Sequence, residues 1–184
     1  MLRSVLIPLA LGTISATPLP SDLSPQVFPV HGGSGGSSFS RSCGSGKVLT
    51  GLYGREGFLV DAFGILCRPV NANGTLGSES AVGSLAGGGG GTSASASCPS
   101  GTVAVSLILR AGSYVNYAAL LCKRWDPATR KFTGSIVNAA PSLGYPGGGT
   151  DYKQECSQPA QPINGFRGRA ASVVDALGII CNEP

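Results

Sequence analysis

The sequence predicts an all-β domain made of three copies of one unit, arranged around a pseudo-threefold axis. Three observations lead to this prediction: a glycine-rich, weakly charged composition, a segment that recurs three times, and six cysteines spread over the recurrences. Glycine supplies 29 of the 184 residues, and charged residues make up 12%, about half of the usual share of roughly 25%. The apolar fraction of 42% is sufficient for a core. A neutral, turn-rich chain of this kind favours β-structure.

The first 16 residues have the pattern of a secretory signal peptide. Arg3 precedes a short apolar run at residues 5–11, and small residues follow as far as Ala16. The apolar run is too short to span a bilayer, and the alternative is a buried N-terminal strand. Residues 17–30 contain four prolines and predict an extended leader, which places the folded domain at residues 31–184. We therefore expect a secreted, extracellular protein without membrane insertion.

The three units become visible when the chain is aligned on its cysteines. Each unit follows a glycine cluster, spans nearly the same distance between two cysteines, and carries an arginine near its centre. A unit contains two apolar, β-branched runs around a short connection, which is the pattern of a β-hairpin. Three such small sheets can bury their inner faces only against one another. The repeats span about residues 31–70, 86–125 and 146–184, and the shared arginines are Arg55, Arg110 and Arg169.

Each unit predicts strands at particular positions. In the first unit, strands are expected at residues 48–53 and 59–66, with residues 54–57 as the connection. A further strand, such as residues 38–42, precedes the first cysteine of a unit. The segments that connect the units, residues 68–86 and 123–146, are expected to add an outer strand to each sheet. The later hairpins are predicted at residues 103–109 with 114–121, and at 163–166 with 173–180.

The cysteines are expected to form one disulfide in each unit. Six cysteines allow 15 pairings, and the repeat selects one of them. Zinc binding is the alternative, but it would need Cys-x-x-Cys steps, which the sequence lacks. Asn73-Gly74-Thr75 also forms an N-glycosylation sequon. The predicted pairs are Cys43–Cys67, Cys98–Cys122 and Cys156–Cys181.

The residue inventory argues against several functions. The net charge of +4 is too weak to imply nucleic-acid binding, which normally needs a clustered basic face. His31 is the only histidine, so a zinc site with two or three imidazoles cannot form, and we interpret it as a linker residue. The sequence has no P-loop, nucleophile elbow or His-Glu-x-x-His motif. We therefore predict a protein that is not an enzyme and uses no cofactor or metal, while homo-oligomer formation stays open.

Two segments carry a family resemblance. Residues 51–64 and 165–178 resemble the signature of the jacalin-related lectins, and the glycine cluster at residues 32–36 with Phe39 resembles the first strand of that family. The resemblance implies a β-prism of three Greek-key sheets. The cysteines depart from the plant lectins and are similar to the disulfide-bearing group of the vitelline membrane outer layer protein, which is also a β-prism.

The resemblance further implies two glycan sites, each made of a Gly-x-x-x-Asp loop and a glycine cluster. An aspartate accepts hydrogen bonds from adjacent sugar hydroxyls, and glycines let the sugar approach the backbone closely. In the middle unit Asn116, near Gly148, replaces the aspartate, which weakens any third site. Alternatively, the two aspartates cap their loops by accepting backbone N–H bonds. One site combines Gly57, Phe58, Leu59, Val60 and Asp61 with Gly88 and Gly89; the other combines Ala171, Ser172, Val173, Val174 and Asp175 with Gly32 and Gly33.

These features predict a secreted carbohydrate-binding lectin whose partners are glycans or glycoproteins. Galactose preference in the resembled family accompanies a freed N-terminal glycine, and residues 28–31 run into Gly32 without a dibasic cleavage signal, so mannose or glucose preference is expected. One alternative is a structural or host-interaction β-prism protein without sugar binding. A less favoured alternative is a glycoside hydrolase, which needs two carboxylates roughly 5–10 Å apart. Asp61 and Asp175 belong to separate sites in the resembled arrangement.

Overall fold

The computed structural model describes residues 26–129, 131–156 and 161–181, and the predicted signal peptide lies outside these residues. The described residues form β-strands joined by turns, and they include no helix long and apolar enough to cross a membrane. In chain order the strands are β1 (Gln26–Val27), β2 (His31–Gly32), β3 (Ser37–Ser42), β4 (Lys47–Glu56), β5 (Val60–Pro69), β6 (Ser80–Gly87), β7 (Thr92–Ser97), β8 (Thr102–Ala111), β9 (Val115–Asp126), β10 (Lys131–Asn138), β11 (Leu143–Gly144), β12 (Thr150–Glu155), β13 (Ile163–Ala170) and β14 (Val174–Cys181).

The strands form three antiparallel sheets, each centred on the hairpin of one unit. The first sheet has the order β6-β5-β4-β7. The second has the order β10-β9-β8-β12, with β11 also beside β9, and the third has the order β1-β14-β13-β3, with β2 also beside β14. This architecture confirms the predicted all-β fold with three sheets.

Neighbouring units exchange strands. β7 opens the second unit but pairs with β4 of the first, and β12 opens the third unit but pairs with β8 of the second. β3, from the first unit, pairs with β13 of the third, so the ring of sheets closes on itself. The repeat pattern predicts these strands but not their exchange, because a repeat shows which residues are equivalent and not which sheet they join.

The disulfides join neighbouring sheets as a result of this exchange. Each first cysteine directly follows an exchanged strand, and its partner lies on the hairpin of the next sheet. Cys98, for example, follows β7 of the first sheet and is bonded to Cys122 in β9 of the second. The structure confirms the three predicted pairs, Cys43–Cys67, Cys98–Cys122 and Cys156–Cys181, and no cysteine in the described ranges is free.

The outer edge of the third sheet comes from the N-terminal side of the chain. Gln26–Val27 and His31–Gly32 both pair with β14, and the Phe28 amide donates to the Ile179 carbonyl at 3.0 Å. Residues 26 and 27, expected to belong to the leader, therefore form a strand of this sheet. His31 is not a linker residue, since its ring stacks on Tyr152 with centroids 3.9 Å apart. The first two sheets take their outer strands from the segments that connect the units, whereas the third takes β1 and β2 from the N-terminal side of the first unit.

The hairpin connections are shorter than the sequence predicts. β4 continues through Gly54 and Arg55 to Glu56, so Gly54 is a strand residue rather than a turn residue. It pairs with Phe63, and a methyl group on Gly54 would overlap the carbonyl oxygen of Ala62. This glycine therefore permits a close strand approach.

The core lies where the three sheets face one another. Phe63, Ala118 and Leu177 occupy equivalent positions, and they are paired with Gly54, Leu109 and Gly168 respectively. Each pair combines a large residue with a small one, and Phe63, Ala118, Leu177 and Leu109 have essentially no exposed surface. The Phe63 ring also meets Phe166 edge-on, with centroids 5.0 Å apart. Residues of different units thus share one packed interior, as the small sheets require.

Candidate functional site

Three five-residue loops lie at the same end of the three hairpins. We call them loop A (residues 57–61), loop B (residues 112–116) and loop C (residues 171–175). Each turn is closed by the same backbone hydrogen bond, from Gly57 to Leu59, from Gly112 to Tyr114 and from Ala171 to Val173, at 3.0 Å in all three cases. The alanine in loop C, which departs from the pattern of the resembled family, therefore leaves the turn unchanged.

A glycine-rich segment crosses each sheet beside its loop. We call these segments cluster A (residues 87–91), cluster B (residues 144–149) and cluster C (residues 32–36); each connects an outer strand to the exchanged strand on the opposite edge. The amide of Gly88 donates to the carbonyl of Asp61, and that of Gly33 donates to the carbonyl of Asp175, both at 2.9 Å. In cluster B the amide of Tyr145 donates to the carbonyl of Asn116 at the same distance. Gly88, Gly33 and Tyr145 are therefore equivalent.

The Asp61 carboxylate lies between two glycines of cluster A. A methyl group on Gly90 would lie 2.5 Å from Asp61 Oδ1, and one on Gly91 would lie 2.5 Å from Asp61 Oδ2. Gly89, which was predicted to belong to the site, has open space beside it, since a methyl group there would meet no atom within 4 Å. The glycines against the carboxylate are thus one and two positions beyond the predicted pair.

The Asp175 carboxylate has the same surroundings in cluster C. A methyl group on Gly35 would overlap Asp175 Oδ1, and one on Gly36 would lie 2.5 Å from Asp175 Oδ2. Gly32 and Gly33, the predicted partners, instead contact the backbone of the Asp175 region. Aspartate and glycine cluster come together in both sheets, which defines site A (loop A with cluster A) and site C (loop C with cluster C).

Neither carboxylate accepts a hydrogen bond from another described residue. Asp175 is only 4% exposed and its Oδ2 atom is buried without a partner in the described part of the chain, while Asp61 is half-buried. Buried polar atoms normally have a partner, so Asp175 Oδ2 is an unsatisfied acceptor, whereas the Asp61 carboxylate is partly exposed to solvent. The alternative role as loop caps has no support in this geometry.

Asp126 shows what a capping aspartate looks like in this protein. Its carboxylate accepts hydrogen bonds from the Thr129 hydroxyl at 2.7 Å and from the Ala128 amide at 2.9 Å. These two interactions, the Thr129 hydroxyl foremost, lower the pKa of Asp126 below its usual value. Asp126 lies at the C-terminal end of β9, whereas loop B includes the first two residues of that strand.

The shared arginines hold two of the clusters in place. Arg55 donates to the carbonyls of Gly90 and Gly91, both at 2.6 Å. Arg169 donates to the carbonyls of Gly35 and Gly36, at 2.7 and 2.6 Å. The two glycines that flank each carboxylate are therefore the ones fixed by the arginine, which preorganises the site before a ligand binds.

Cluster B is held in another way. Arg110 forms an ion pair with Asp151 and donates to the Pro146 carbonyl. The hydrogen bond from Arg110 lowers the pKa of Asp151, which is the charged partner that the other two arginines lack. Asn116 lies near Gly148, whose added methyl group would be 3.3 Å from Asn116 Nδ2. The third arrangement thus has an amide in place of a carboxylate.

Each loop also contacts the cluster of a neighbouring sheet. The carbonyl oxygen of Ser172 in loop C lies against Gly88, so Ser172, which was predicted to belong to the site of loop C, lies at the junction with site A. The Val60 side chain is fully buried and lies against Gly144, so only its backbone is available to site A. At the tips, Leu59 and Val173 are partly exposed and Phe58 is 83% exposed.

The remaining predicted residues lie elsewhere. Asn73 is exposed in the loop that follows β5, and it accepts a hydrogen bond from the Thr75 hydroxyl at 2.7 Å. The ten residues of β5 place it about 30 Å from loop A. Within the described ranges, no group of three or more His, Cys, Asp or Glu side chains is placed to hold a metal ion.

The sequence pattern missed Tyr145 and the flanking glycines Gly35, Gly36, Gly90 and Gly91. Gly32 and Gly87 each lie eleven residues before the first cysteine of their unit, whereas Gly144 lies twelve before Cys156. The one-residue insertion shifts cluster B relative to the others and conceals its equivalence. In the other two clusters, the pairs Gly35-Gly36 and Gly90-Gly91 stand at the same distance before the first cysteine of their unit. This spacing was the signal that could have identified the flanking glycines.

Compared by structure, the chain is similar to several jacalin-related lectins. A lectin from Malaysian banana is 20% identical over 88% of this chain and 100% of its own, with a TM-score of 0.60. A mannose-binding jacalin-related lectin from Ananas comosus is 20% identical over 87% of this chain and 99% of its own, with a TM-score of 0.61. Artocarpin, a lectin with mannose specificity, is 16% identical over 86% of this chain and 97% of its own, with a TM-score of 0.57.

Compared by sequence, the chain matches no family model and no curated protein. The structural likenesses cover nearly the whole described domain at low identity. They confirm the predicted β-prism, and the fold is that of the jacalin-related lectins.

Proposed function

We propose that this protein is a carbohydrate-binding lectin with two glycan sites, A and C. The observation that carries the proposal is a pair of carboxylates, Asp61 and Asp175, that accept no hydrogen bond from the described residues. Each is set between two glycines that an arginine fixes in place. Structural neighbours that are mannose-binding lectins have the same fold and support this function.

The chemistry of the site suits a polyol. Two adjacent sugar hydroxyls can each donate to one carboxylate oxygen, and such charge-assisted hydrogen bonds are stronger than neutral ones. The glycines beside the carboxylate have no side chain to keep a pyranose ring away from it. Because the contact is small and shallow, we expect a dissociation constant on the order of millimolar for one monosaccharide.

Mannose-type sugars are the proposed ligands. Two of the structural neighbours are described as mannose-binding or mannose-specific, and the complex of one of them with mannotriose is also similar to this chain. Asp61 is the more exposed of the two carboxylates, so we propose that site A, in the first sheet, is the stronger site. Three disulfides and a leader of signal-peptide type support function outside the cell.

Hydrolysis of the bound glycan is not part of the proposal. A glycoside hydrolase needs a second carboxyl group near the first. Glu56 is the nearest acidic residue to Asp61 in sequence, and its Oε2 atom accepts a hydrogen bond from the Gly144 amide at 2.5 Å. Glu56 is thus engaged in fixing cluster B to the first sheet.

The test is to remove one charge at a time. Asp61→Asn and Asp175→Asn preserve the side-chain shape, and asparagine already stands at the equivalent position in loop B. We expect Asp61→Asn to lose the larger share of binding to methyl α-mannoside in calorimetric titration, Asp175→Asn a smaller share, and the double variant all of it. Asp126→Asn, at the far end of β9, is the matched control and should bind like the parent.

Two outcomes would contradict the proposal. Undiminished binding by the double variant would place the sugar elsewhere. A parent protein that binds no sugar on a broad glycan array would favour a structural or host-interaction role for the same fold. Circular dichroism on each variant checks that the sheets are intact.

A further inference from the structure

The pseudo-threefold symmetry is broken at the junction between loop A and cluster B. At the other two junctions a glycine of the cluster meets a serine of the loop: Gly33 lies against the Ser113 carbonyl, and Gly88 against the Ser172 carbonyl. The same backbone hydrogen bond identifies Tyr145 as the third member of the glycine set. Phe58 is the third member of the serine set, because it is the second residue of its loop.

The two aromatic residues contact one another at the surface. Their ring centroids are 5.9 Å apart and their planes meet at 74°. Phe58 is 83% exposed and Tyr145 is 56% exposed, which makes them the two most exposed large apolar side chains among the described residues. Exposed apolar groups that lie together mark contact sites for a ligand.

The pair is fixed rather than loose. The Tyr145 ring lies over Gly147, where an added methyl group would be 2.5 Å from Tyr145 Cε1. Glu56 binds the Gly144 amide, and Val60 packs against Gly144, so loop A and cluster B are joined next to the rings. A ring held in one orientation loses little conformational entropy when a ligand packs on it.

The surroundings indicate what the rings contact. Phe58 lies three residues before Asp61 in loop A, and the Tyr145 amide is bonded to the Asn116 carbonyl of loop B. Asp61 of loop A and Asn116 of loop B, whose side chains carry oxygen acceptors, therefore belong to the two loops next to the rings. A pyranose ring has an apolar C–H face and a rim of hydroxyls, and it matches an aromatic surface with polar acceptors at its edge.

We propose that Phe58 and Tyr145 form an aromatic subsite, which binds the second sugar residue of an oligosaccharide whose terminal residue occupies site A. This inference rests on the proposed function and extends it from monosaccharide to oligosaccharide recognition. Sites A and C then differ in specificity, because only site A has aromatic residues at the adjoining cluster. The equivalent junction of loop C, where Ser172 meets Gly88, provides no such surface beside site C.

The experiment compares two sugars on a chain with only site A active. In the Asp175→Asn background, methyl α-mannoside and mannotriose are titrated separately by calorimetry. We expect mannotriose to bind about fivefold to tenfold more tightly than methyl α-mannoside. Tyr145→Gly, which installs the residue of the other two clusters, should reduce that ratio to about twofold or less, because one ring of the subsite is removed.

Two further variants define the readout. Phe58→Ser, which installs the residue of the other two loops, should reduce the ratio to the same extent as Tyr145→Gly. Ile136→Ser is the matched control: Ile136 is 49% exposed on β10, far from the loops, and its removal should leave both affinities as they are.

The outcomes separate the subsite from the site itself. A ratio that stays the same in Tyr145→Gly and Phe58→Ser overturns the aromatic subsite and leaves site A standing. A parent that binds neither sugar overturns the proposed function together with the subsite. Amide chemical shifts of loop A in each variant show that the fold of the site is preserved.

Discussion

At the scale of single residues, glycines next to the same carboxylate have different roles. Gly91 has a backbone φ of +60°, and a methyl group there would overlap the Glu56 carbonyl and lie 2.5 Å from Asp61 Oδ2. Gly57, in loop A, lies outside the left-handed region, and a methyl group there would be 3.6 Å from Asp61 Oδ2, an ordinary contact. Loop C already has alanine at the position of Gly57.

Gly57→Ala should therefore be tolerated, whereas Gly91→Ala should not. Alanine at a compatible position restricts the unfolded chain, so we expect Gly57→Ala to raise the free energy of unfolding by about 0.5 kcal/mol and to preserve sugar binding at site A. For Gly91→Ala we expect a loss of about 2 kcal/mol or more, from the left-handed backbone and the overlap, with loss of binding at site A. Urea unfolding and sugar titration measure both effects. Equal behaviour of the two variants would contradict this account of the site.

Local motifs made part of the site predictable from sequence. Asp61, Asp175 and Asn116 stand at one position of a recurring loop, and a loop of fixed length places its last residue reproducibly. Gly90, Gly91, Gly35 and Gly36 were missed because their contact with the carboxylates depends on how the cluster crosses the sheet. That crossing is a tertiary feature. The spacing from the cysteine shows which glycines are equivalent, but not that they flank a carboxylate.

At the scale of strands and sheets, the disulfides replace interactions that small sheets lack. Each sheet consists of two long central strands and shorter outer ones, and its edge strand belongs to another unit. A bridge directly after the exchanged strand therefore prevents neighbouring sheets from separating at that point. The cysteine pairing was predictable because the repeat has a fixed length, whereas the joining of different sheets was not, because it depends on the strand exchange.

Removing one bridge should destabilise the whole domain. In the chain-entropy model, a closed loop of 24 residues contributes about 3 to 4 kcal/mol, so we expect a loss of that size for Cys43→Ala with Cys67→Ala. The matched pairs Cys98–Cys122 and Cys156–Cys181 close loops of nearly the same length and should give similar losses. Urea unfolding under oxidising conditions provides the comparison. A double variant as stable as the parent would show that the exchanged strands hold the sheets together unaided.

At the scale of the whole molecule, three sheets share one core although the side chains at their equivalent positions differ in size. The pairs Gly54 with Phe63, Leu109 with Ala118, and Gly168 with Leu177 each combine one small and one large residue. Volume is therefore conserved within each pair although the individual residues differ. Sequence repeats alone do not show this, because Phe63 and Ala118 look unrelated until the register pairs them with their partners.

Phe63→Ala should produce a large cavity, because it leaves alanine opposite Gly54 and no large residue in the pair. We expect a loss of about 3 to 5 kcal/mol in the free energy of unfolding. Phe58→Ala is the control for ring removal as such, since Phe58 is 83% exposed, and it should change stability by no more than about 0.5 kcal/mol. Thermal and urea unfolding measure both variants. A small loss for Phe63→Ala would mean that the three sheets close around the vacated space.

Under the proposed lectin function, the positions of sites A and C determine how the molecule engages a glycan surface. The three hairpin loops lie at one end of the ring of sheets, so both sites open toward the same side. One molecule can then hold two sugars of one surface, and the second binding event occurs at a high effective concentration.

Although each site is weak, we expect the parent to bind a densely mannosylated surface about 100-fold more tightly than a sparse one. Asp175→Asn has only site A and should lose this dependence on density while retaining its affinity for free methyl α-mannoside at that site. Surface plasmon resonance at graded mannose densities provides the measurement, with Asp126→Asn as the control that keeps both sites. A parent without density dependence, or an Asp175→Asn variant with the same dependence as the parent, would show that sites A and C do not bind one surface together.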